Sequence, residues 1–352
     1  MKDLKVIKIK SSKPYSVYVK DGLISEFAPL ISKHLTGNNV LIVTDDVVEK
    51  LYLKQVVLSL ESANKTVFSL VLKNGEQSKN FDNYKRVIDF LCEKEFTRKD
   101  SIVALGGGVV GDLTGFVAST YLRGINYVQV PTTLLSAVDS SVGGKTAIDV
   151  EKGKNLVGAF YSPKAVIIDS EIIKNLPKEV HEQGFGEVIK YAVLDKKIYA
   201  EINKENYDLS KLIALCVSYK NKIVSKDEFE KNVRKFLNLG HTVGHALEKL
   251  SNYKIAHGIA VIMGLKSITD YAKSIGYITC EEYQKIINLI NKNAKLPSVN
   301  FNSEDILSVI KNDKKRRGDF IDVVLPKKIG KVEIVKISLN DLKGVKYEGI
   351  GK

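Results

Sequence analysis

Cysteine is scarce. Cys92, Cys216 and Cys280 lie far apart with no paired spacing, so no disulfide framework is expected and a reduced cytoplasm is the natural location. Long apolar runs are missing too, since none approaches the roughly 20 residues a bilayer span requires. The opening MKDLKVIKIKSSK is basic but has neither the apolar stretch nor the small-residue cleavage site of an export signal. Arginine is rare: only six of the 54 Lys and Arg residues. The formal charge of +13 would suit a nucleic-acid or membrane partner. The lysines, however, are spread along the whole chain, with no aromatic-interleaved basic stripe and no nucleic-acid-binding motif. The reading is a lysine-rich solvated surface that attracts small anions, with no nucleic acid and no membrane. Internal repeats and low-complexity segments are also absent.

What is present is a chain of 352 residues, 44% hydrophobic and 27% charged. That is the composition of a soluble globular protein and the length of two ordinary domains. In the first half, short β-branched runs alternate with helix-length segments. Val40 to Val43 ends at Thr44-Asp45, and Thr66 to Leu72 ends before Asn74-Gly75. Ser101 to Leu105 ends at three glycines, Tyr127 to Val130 at Pro131-Thr132-Thr133, and Ala165 to Ile168 at Asp169. Such runs predict a mostly parallel, Rossmann-like sheet covered on both faces, with ligands bound beyond the carboxyl ends of the strands. After Pro177 helical periodicity takes over, at 179–193, 196–225, 238–250, 257–275, 280–293 and 303–312. Phe320 to Leu325 and Lys331 to Ile337 read as a closing β-hairpin. The expected architecture is an α/β nucleotide-type domain over 1–177, a mainly α-helical domain over 178–352, and an active site in the cleft between them.

Gly106, Gly108 and Gly111 satisfy G-x-G-x-x-G directly after a strand and before a helical stretch. That arrangement lets backbone N–H groups approach a pyrophosphate; a tight structural turn would look the same. The acidic residue expected about 20 positions later is missing, which leaves Asp45 as the candidate ribose contact. Gly143-Gly144-Lys145-Thr146 imitates the end of a P-loop, but the first glycine of that motif is replaced by Asp139. The NTPase reading fails, although Lys145 can still be presented to a phosphate. Three of the five histidines, His241, His245 and His257, fall within seventeen residues. His241 and His245 are one helical turn apart on one face, a spacing suited to a transition metal. Spacing selects that pair and leaves His257 undecided. A carboxylate ligand is also expected, and Glu187 is the candidate.

Seven segments, in order, resemble the 3-dehydroquinate synthases: NGEQSK, GGGVVGDLTGF, YLRGINYVQVPTTLLSAVDSSVGGKTAID, KNLVGAFY, GFGEVIKY, LNLGHTVGHALE and HGIAVIMG. The resemblance implies zinc, with cobalt as a possible substitute, on Glu187, His241 and His257, and makes His245 a substrate contact beside the metal. That overrules the pair chosen by spacing. It implies NAD contacts at Asp45, at Asn74, Gly75, Glu76, Gln77, Ser78 and Lys79, and at Gly108, Val109, Val110, Gly111 and Asp112. Thr132, Thr133, Lys145, Lys154 and the stretch Ile172, Ile173, Lys174 and Asn175 complete that set. Substrate contacts would fall to Arg123, Asp139, Lys145, Asn155, Lys190, Lys220, Arg234, Asn238 and His245, with one of Lys314 or Lys315. So many cations suit a substrate bearing a phosphate and a carboxylate. The family usually has Gly where this chain has Asn232, and Asn tolerates the positive φ such a turn would need. Its Thr-rich turn after the last parallel strand reads Asp169-Ser170-Glu171-Ile172 here, so backbone rather than side-chain contacts are expected there.

The implied activity converts 3-deoxy-arabino-heptulosonate 7-phosphate to 3-dehydroquinate and phosphate in the shikimate route to aromatic amino acids. Hydride is removed to NAD, phosphate is eliminated, the hydride is returned, and an aldol step closes the ring. The implied assembly is a homodimer in which Arg123 reaches the phosphate pocket of the neighbouring subunit. Two related activities compete with this reading. Another NAD- and zinc-dependent sugar-phosphate cyclase should lack part of the carboxylate-binding pair Lys220 and Arg234, and a metal-dependent polyol dehydrogenase should accumulate NADH.

Overall fold

The computed structural model describes residues 3–299, 301, 303–311, 316–317, 320–339 and 341–344. The chain forms two compact units, one of Met1–Pro177 with Leu209–Phe229, the other of Lys178–Asp208 with Glu230–Lys352.

The first unit carries strands β1 Lys5–Ile9, β2 Tyr15–Lys20, β3 Asn39–Asp45, β4 Thr66–Leu72, β5 Ser101–Gly106, β6 Asn126–Pro131, β7 Lys145–Val150, β8 Gly153–Phe160 and β9 Ala165–Asp169. Seven of them make one sheet in the order β1-β2-β9-β6-β5-β3-β4. Only β1 and β2 pair antiparallel; the other neighbours are parallel. Every residue of β5 and β9 is buried, and all of β3 but its first. Strands covered on both faces need unbroken Val, Ile and Leu runs, which is why these were visible in the sequence. The strand order reverses between β3 and β5, because the chain passes from β3 to β4 on one side and returns as β5 on the other. The carboxyl ends at this switch point are Asp45 and Gly106, the place where open α/β sheets bind nucleotides.

The sequence reading rejected a P-loop at Gly143-Gly144 without assigning its fold, and took residues 196–225 as one helical run. Gly143 and Gly144 take φ of 98° and 69° and lead into strand β7, not into the helix of a P-loop. The hairpin of β7 and β8 lies apart from the main sheet, with Ile148, Val157 and Ala159 packed against its core. The periodic run at 196–225 is two helices, not one, and the chain between them, Asn203 to Asp208, is non-helical. That stretch is polar at five of its six positions and offers no apolar stripe to continue a helix.

Helices α1 Phe27–Ile31, α2 Lys54–Ser62, α3 Phe81–Glu93, α4 Gly108–Thr120 and α5 Ser170–Lys174 precede Pro177. Beyond it come α6 Lys178–Leu194, α7 Lys196–Ile202, α8 Leu209–Val224, α9 His241–Leu250, α10 His257–Ser274, α11 Cys280–Asn293 and α12 Ser303–Lys311. Helix α8 belongs with the first unit. Lys5 Nζ donates to Ser210 Oγ at 2.7 Å, and Asn221 exchanges hydrogen bonds of 2.9 Å with the backbone of Lys8 and Lys10. The sequence reading ran the second domain unbroken from residue 178. In the second unit α9, α10 and α12 share a core with β10 Phe320–Lys328 and β11 Lys331–Ser338. These two strands form the expected hairpin. No helix among the described residues is long and apolar enough to cross a membrane.

Candidate active site

In the first unit, glycines shape the carboxyl end of β5. A Cβ on Gly106 would stand 2.7 Å from Val110 Cβ, and one on Gly111 would meet Gln129 Oε1 at 2.8 Å. Neither distance tolerates a side chain, so these two positions let α4 pack against the sheet. At Gly108 a Cβ would lie 3.2 Å from Ser140 Oγ. Val109 and Val110 form the first turn of α4 with Gly111 and Asp112. Thr132, whose N–H donates to Gly106 O at 3.0 Å, is buried with no partner for its hydroxyl. Thr133 bonds Ser136 Oγ at 2.8 Å.

Asp45 Oδ1 accepts from Val47 and Val48 N–H at 3.0 Å, so one oxygen of the expected ribose contact already caps the turn after β3. Asp46, which the sequence reading missed, accepts from Asn74 N–H at 2.9 Å and fixes the start of the segment Asn74 to Lys79. Gly75 takes φ of 115° there, and Gln77 Nε2 and Ser78 Oγ bond backbone carbonyls of the same loop. Lys79 is 4% exposed and pairs with Asp112 at 2.6 Å, while donating to Asn155 Oδ1 at 2.5 Å. Burial draws its ammonium down, but Asp112 and Glu76 outweigh that and hold it above the usual lysine range. Lys154 pairs with Glu76 at 3.7 Å. Asp149, also missed, accepts from Asn155 N–H at 2.8 Å and so holds Asn155 at its left-handed φ of 56°.

The remaining first-unit candidates fall into four places. Lys145 is exposed at the start of β7. Buried Lys220 reaches back from α8 to Asp139, donating to its carbonyl at 2.8 Å and its carboxylate at 2.9 Å. Ile172 and Ile173 are buried, Lys174 pairs with Asp21 at 2.5 Å, and Asn175 ends α5. Arg123 is exposed beside exposed Leu122, and the two take consecutive left-handed φ values of 65° and 49°. Non-glycine residues adopt that region rarely and at a cost, most often at functional positions.

The second unit holds the histidines. Gly186 of α6 and Gly258 of α10 face each other so closely that a Cβ on either would overlap a backbone carbonyl, that of Gly258 or Gln183. A Cβ on Gly244 of α9 would meet Ala260 O of α10 at 3.0 Å. Each of these glycines is next in sequence to Glu187, His257 or His245, so three helix backbones meet where their polar side chains converge. Glu187 is wholly buried, and its Oε1 lies 3.4 Å from His241 Nε2 and 3.3 Å from His257 Nε2. The buried Lys190 one turn on forms an ion pair with it, yet neither carboxylate oxygen has a hydrogen bond of good geometry. Burial alone would raise this carboxyl, but Lys190 and His241 hold it well below the usual range. Burial also lowers His241, keeping it neutral against the pull of Glu187. His257 is drawn down by burial but pushed up to about 10 by the carboxylates of Glu187 and Glu248 on either side of its ring.

Both rings have their other nitrogen engaged, His241 Nδ1 with Leu239 O at 3.1 Å and His257 Nδ1 with Glu248 Oε2 at 3.2 Å. Two Nε2 atoms and a buried carboxylate without a well-formed hydrogen bond face one point and fit a divalent cation, which would displace the proton His257 otherwise holds there. Imidazole with carboxylate is a zinc-type donor set. Glu187, His241 and His257 thus form one group able to hold a metal, and His245, Glu248 and His257 form a second. His245, the partner chosen by spacing, is exposed, with its ring 5.2 Å from that of His241 and 6.0 Å from that of His257.

Arg234 is 2% exposed in a 3₁₀ turn, and Asn238 Nδ2 donates to Glu230 Oε1 at 2.9 Å. Asn232 does not take the positive φ expected of it. Its φ is −137°, and the left-handed residue of that loop is Glu230, at 58°. The left-handed turn comes two residues earlier, and Asn232 instead has ψ of −102°, outside the usual extended and helical regions. Lys314 and Lys315 lie outside the described residues.

Comparison with known proteins supplies the family. Two family models match in succession, 3-dehydroquinate synthase N-terminal over residues 69–183 and 3-dehydroquinate synthase C-terminal over residues 184–316. A 3-dehydroquinate synthase of Alkaliphilus metalliredigens (strain QYMF) is 41% identical over 340 residues, covering 93% of this chain and 94% of its own. A structure of 2-deoxy-scyllo-inosose synthase with carbaglucose-6-phosphate, NAD+ and Co2+ superposes with a TM-score of 0.88 at 23% identity, covering 97% of this chain and 99% of that one. The 2-epi-5-epi-valiolone synthase of Streptomyces hygroscopicus subsp. jinggangensis 5008, with NAD+ and Zn2+ bound, does so with a TM-score of 0.82 at 22% identity and coverage of 97% and 98%. At such identities the two structures establish a common fold. With both family models matched in order and two-fifths of the residues shared with a curated relative over nearly its whole length, the chain belongs to the 3-dehydroquinate synthase family.

Proposed function

We propose that this chain converts 3-deoxy-arabino-heptulosonate 7-phosphate to 3-dehydroquinate and phosphate, using NAD and a divalent metal, zinc or cobalt. The observation that carries this reading is the meeting of Glu187 with two imidazole Nε2 atoms, in a chain of that family. Related cyclases crystallised with NAD+ and with Co2+ or Zn2+ support the cofactor pair. When bound, the metal supplies a Lewis acid for the hydroxyl to be oxidised, and NAD supplies a hydride acceptor.

The chain's own residues do the rest. Glu187, His241 and His257 hold the metal. The glycine-rich turn from Gly106 to Gly111 brings backbone N–H groups to the dinucleotide, with Asp45 as the ribose candidate and the Lys79–Asp112 pair beside it. Lys220 and Arg234 take the substrate carboxylate, a role that separates a sugar-acid phosphate from sugar phosphates that carry no carboxylate. Arg123, Lys145, Asn155 and Lys190 stabilise the phosphate as it leaves, with His245 and Asn238 at the reacting end and Asp139 orienting Lys220. The active assembly is a homodimer.

Because the hydride removed at the start returns to the same substrate, the reaction is redox-neutral. Purified enzyme with substrate and catalytic NAD is expected to turn over many times without accumulating NADH absorbance. Growth of that absorbance in proportion to substrate consumed would make the protein a polyol dehydrogenase instead.

A further inference from the structure

We infer that Glu248 is a positioning residue for the metal centre, holding His257 in the tautomer that offers Nε2 to the cation. This rests on the proposal that Glu187, His241 and His257 are the ligands. Glu248 lies on α9, seven residues after His241 and three after His245, so it shares the face of the helix that carries the histidines. Its residue is 7% exposed, and its Oε2 stands 3.2 Å from His257 Nδ1.

A buried carboxylate at that distance needs a proton between the two atoms, and an ionised carboxylate has none to give. Nδ1 must therefore carry it, so Nε2, the nitrogen that faces Glu187 Oε1 at 3.3 Å, is the one left to bind a cation, whose arrival displaces any proton there. His241 reaches the same tautomer by a different partner, the Leu239 carbonyl at 3.1 Å from its Nδ1. The two ligands are thus supported unequally, one by a neutral backbone oxygen and one by a charged side chain. The charged partner raises the donor strength of His257 and places a second negative charge behind the first shell of ligands. Glu248 also belongs to the group His245, Glu248 and His257, in which it would itself bind the cation. The hydrogen bond to Nδ1 favours the supporting role, since a ring nitrogen that carries a proton toward Glu248 cannot also bind the cation.

Zinc affinity read by competition with a chromophoric chelator, alongside the visible spectrum of the cobalt-substituted protein, decides between the roles. Glu248→Ala is expected to bind zinc about 10–100-fold more weakly than the parent. Glu248→Gln, whose amide oxygen can still accept from Nδ1, is expected to lose only part of that. The cobalt spectrum of each, once saturated, is expected to keep the coordination number of the parent, because Glu248 does not touch the metal. Far-UV circular dichroism and thermal unfolding of the metal-free proteins separate this from a folding defect, and the isosteric Gln variant carries the test if Ala does not fold. Unchanged zinc affinity in both variants would overturn the inference, as would a cobalt spectrum showing one ligand fewer. Absence of zinc binding in the parent, or its persistence in Glu187→Ala, would instead defeat the ligand assignment on which the inference rests.

Discussion

Glu187→Gln protein is expected to emerge without bound zinc and to lose roughly a thousandfold or more of its turnover. A Lewis-acid metal supplies several kcal/mol of charge stabilisation in the transition state, and each 1.36 kcal/mol is a factor of ten in rate. Gln is the better probe than Ala because Glu187 is wholly buried beside Lys190. Emptying that volume would add a cavity, whereas the Gln amide keeps the volume and an oxygen that can accept from the Lys190 ammonium. His241→Ala and His257→Ala are expected to lose the metal as well. His245→Ala is expected to keep it and to fail in turnover, since that exposed imidazole is proposed as a substrate contact. Metal content per chain decides the matter. Zinc lost from His245→Ala but retained in His257→Ala would restore the pair one helical turn apart and contradict the assignment.

Mixing two inactive variants is expected to restore activity. Arg123→Ala and His257→Ala should each be nearly dead alone. If Arg123 completes the phosphate pocket of the partner subunit, a heterodimer of the two carries both defects in one pocket and neither in the other. Statistical subunit exchange makes half the dimers mixed, with one good site of two, so up to about a quarter of the parent activity returns. The structural motive is the exposed tip at Leu122 and Arg123, where two consecutive side-chain-bearing residues hold left-handed φ values. Strain of that kind, of order 1–3 kcal/mol at each such residue, persists where it has a use. An Arg123 acting within its own subunit leaves one defect in every pocket, and mixing then restores nothing.

Much of the fold was legible because it rests on local pattern. The buried parallel strands β3, β5, β6 and β9 are continuous apolar runs ending in Asp, Gly or Pro, and the helices α6, α10 and α11 keep their 3.6-residue period. The antiparallel β1–β2 pair was not read, because lysines at positions 5 and 8 of the half-exposed β1 interrupt its pattern. The β7–β8 hairpin was hidden by glycines and by its exposed face, where burial alternates with exposure. Helix α8 leaves the second unit for tertiary reasons, its bonds to Lys5, Lys8 and Lys10, and no periodicity reports such a choice.

At the candidate site the same division holds. Spacing along one helix singled out His241 and His245, whereas the carboxylate they were expected to share faces His241 and His257 from a third helix. That convergence depends on Gly186 and Gly258 allowing two backbones to touch, a long-range fact that only the resemblance to a family could anticipate. Glu248 could have been found in the sequence, since it stands at i+3 and i+7 from two histidines of its own helix. Asp149 could not, because its role depends on the left-handed turn at Asn155.

The most direct measurement is inorganic phosphate released from 3-deoxy-arabino-heptulosonate 7-phosphate by zinc-loaded protein freed of nucleotide, assayed with and without added NAD. Elimination of phosphate requires an acidic C–H next to the phosphate-bearing carbon, which a ketone on the following carbon supplies, so release is expected to depend wholly on NAD, to continue for many turnovers per NAD, and to yield one 3-dehydroquinate per phosphate. Release at the same rate without NAD, or no release with it, would contradict the account.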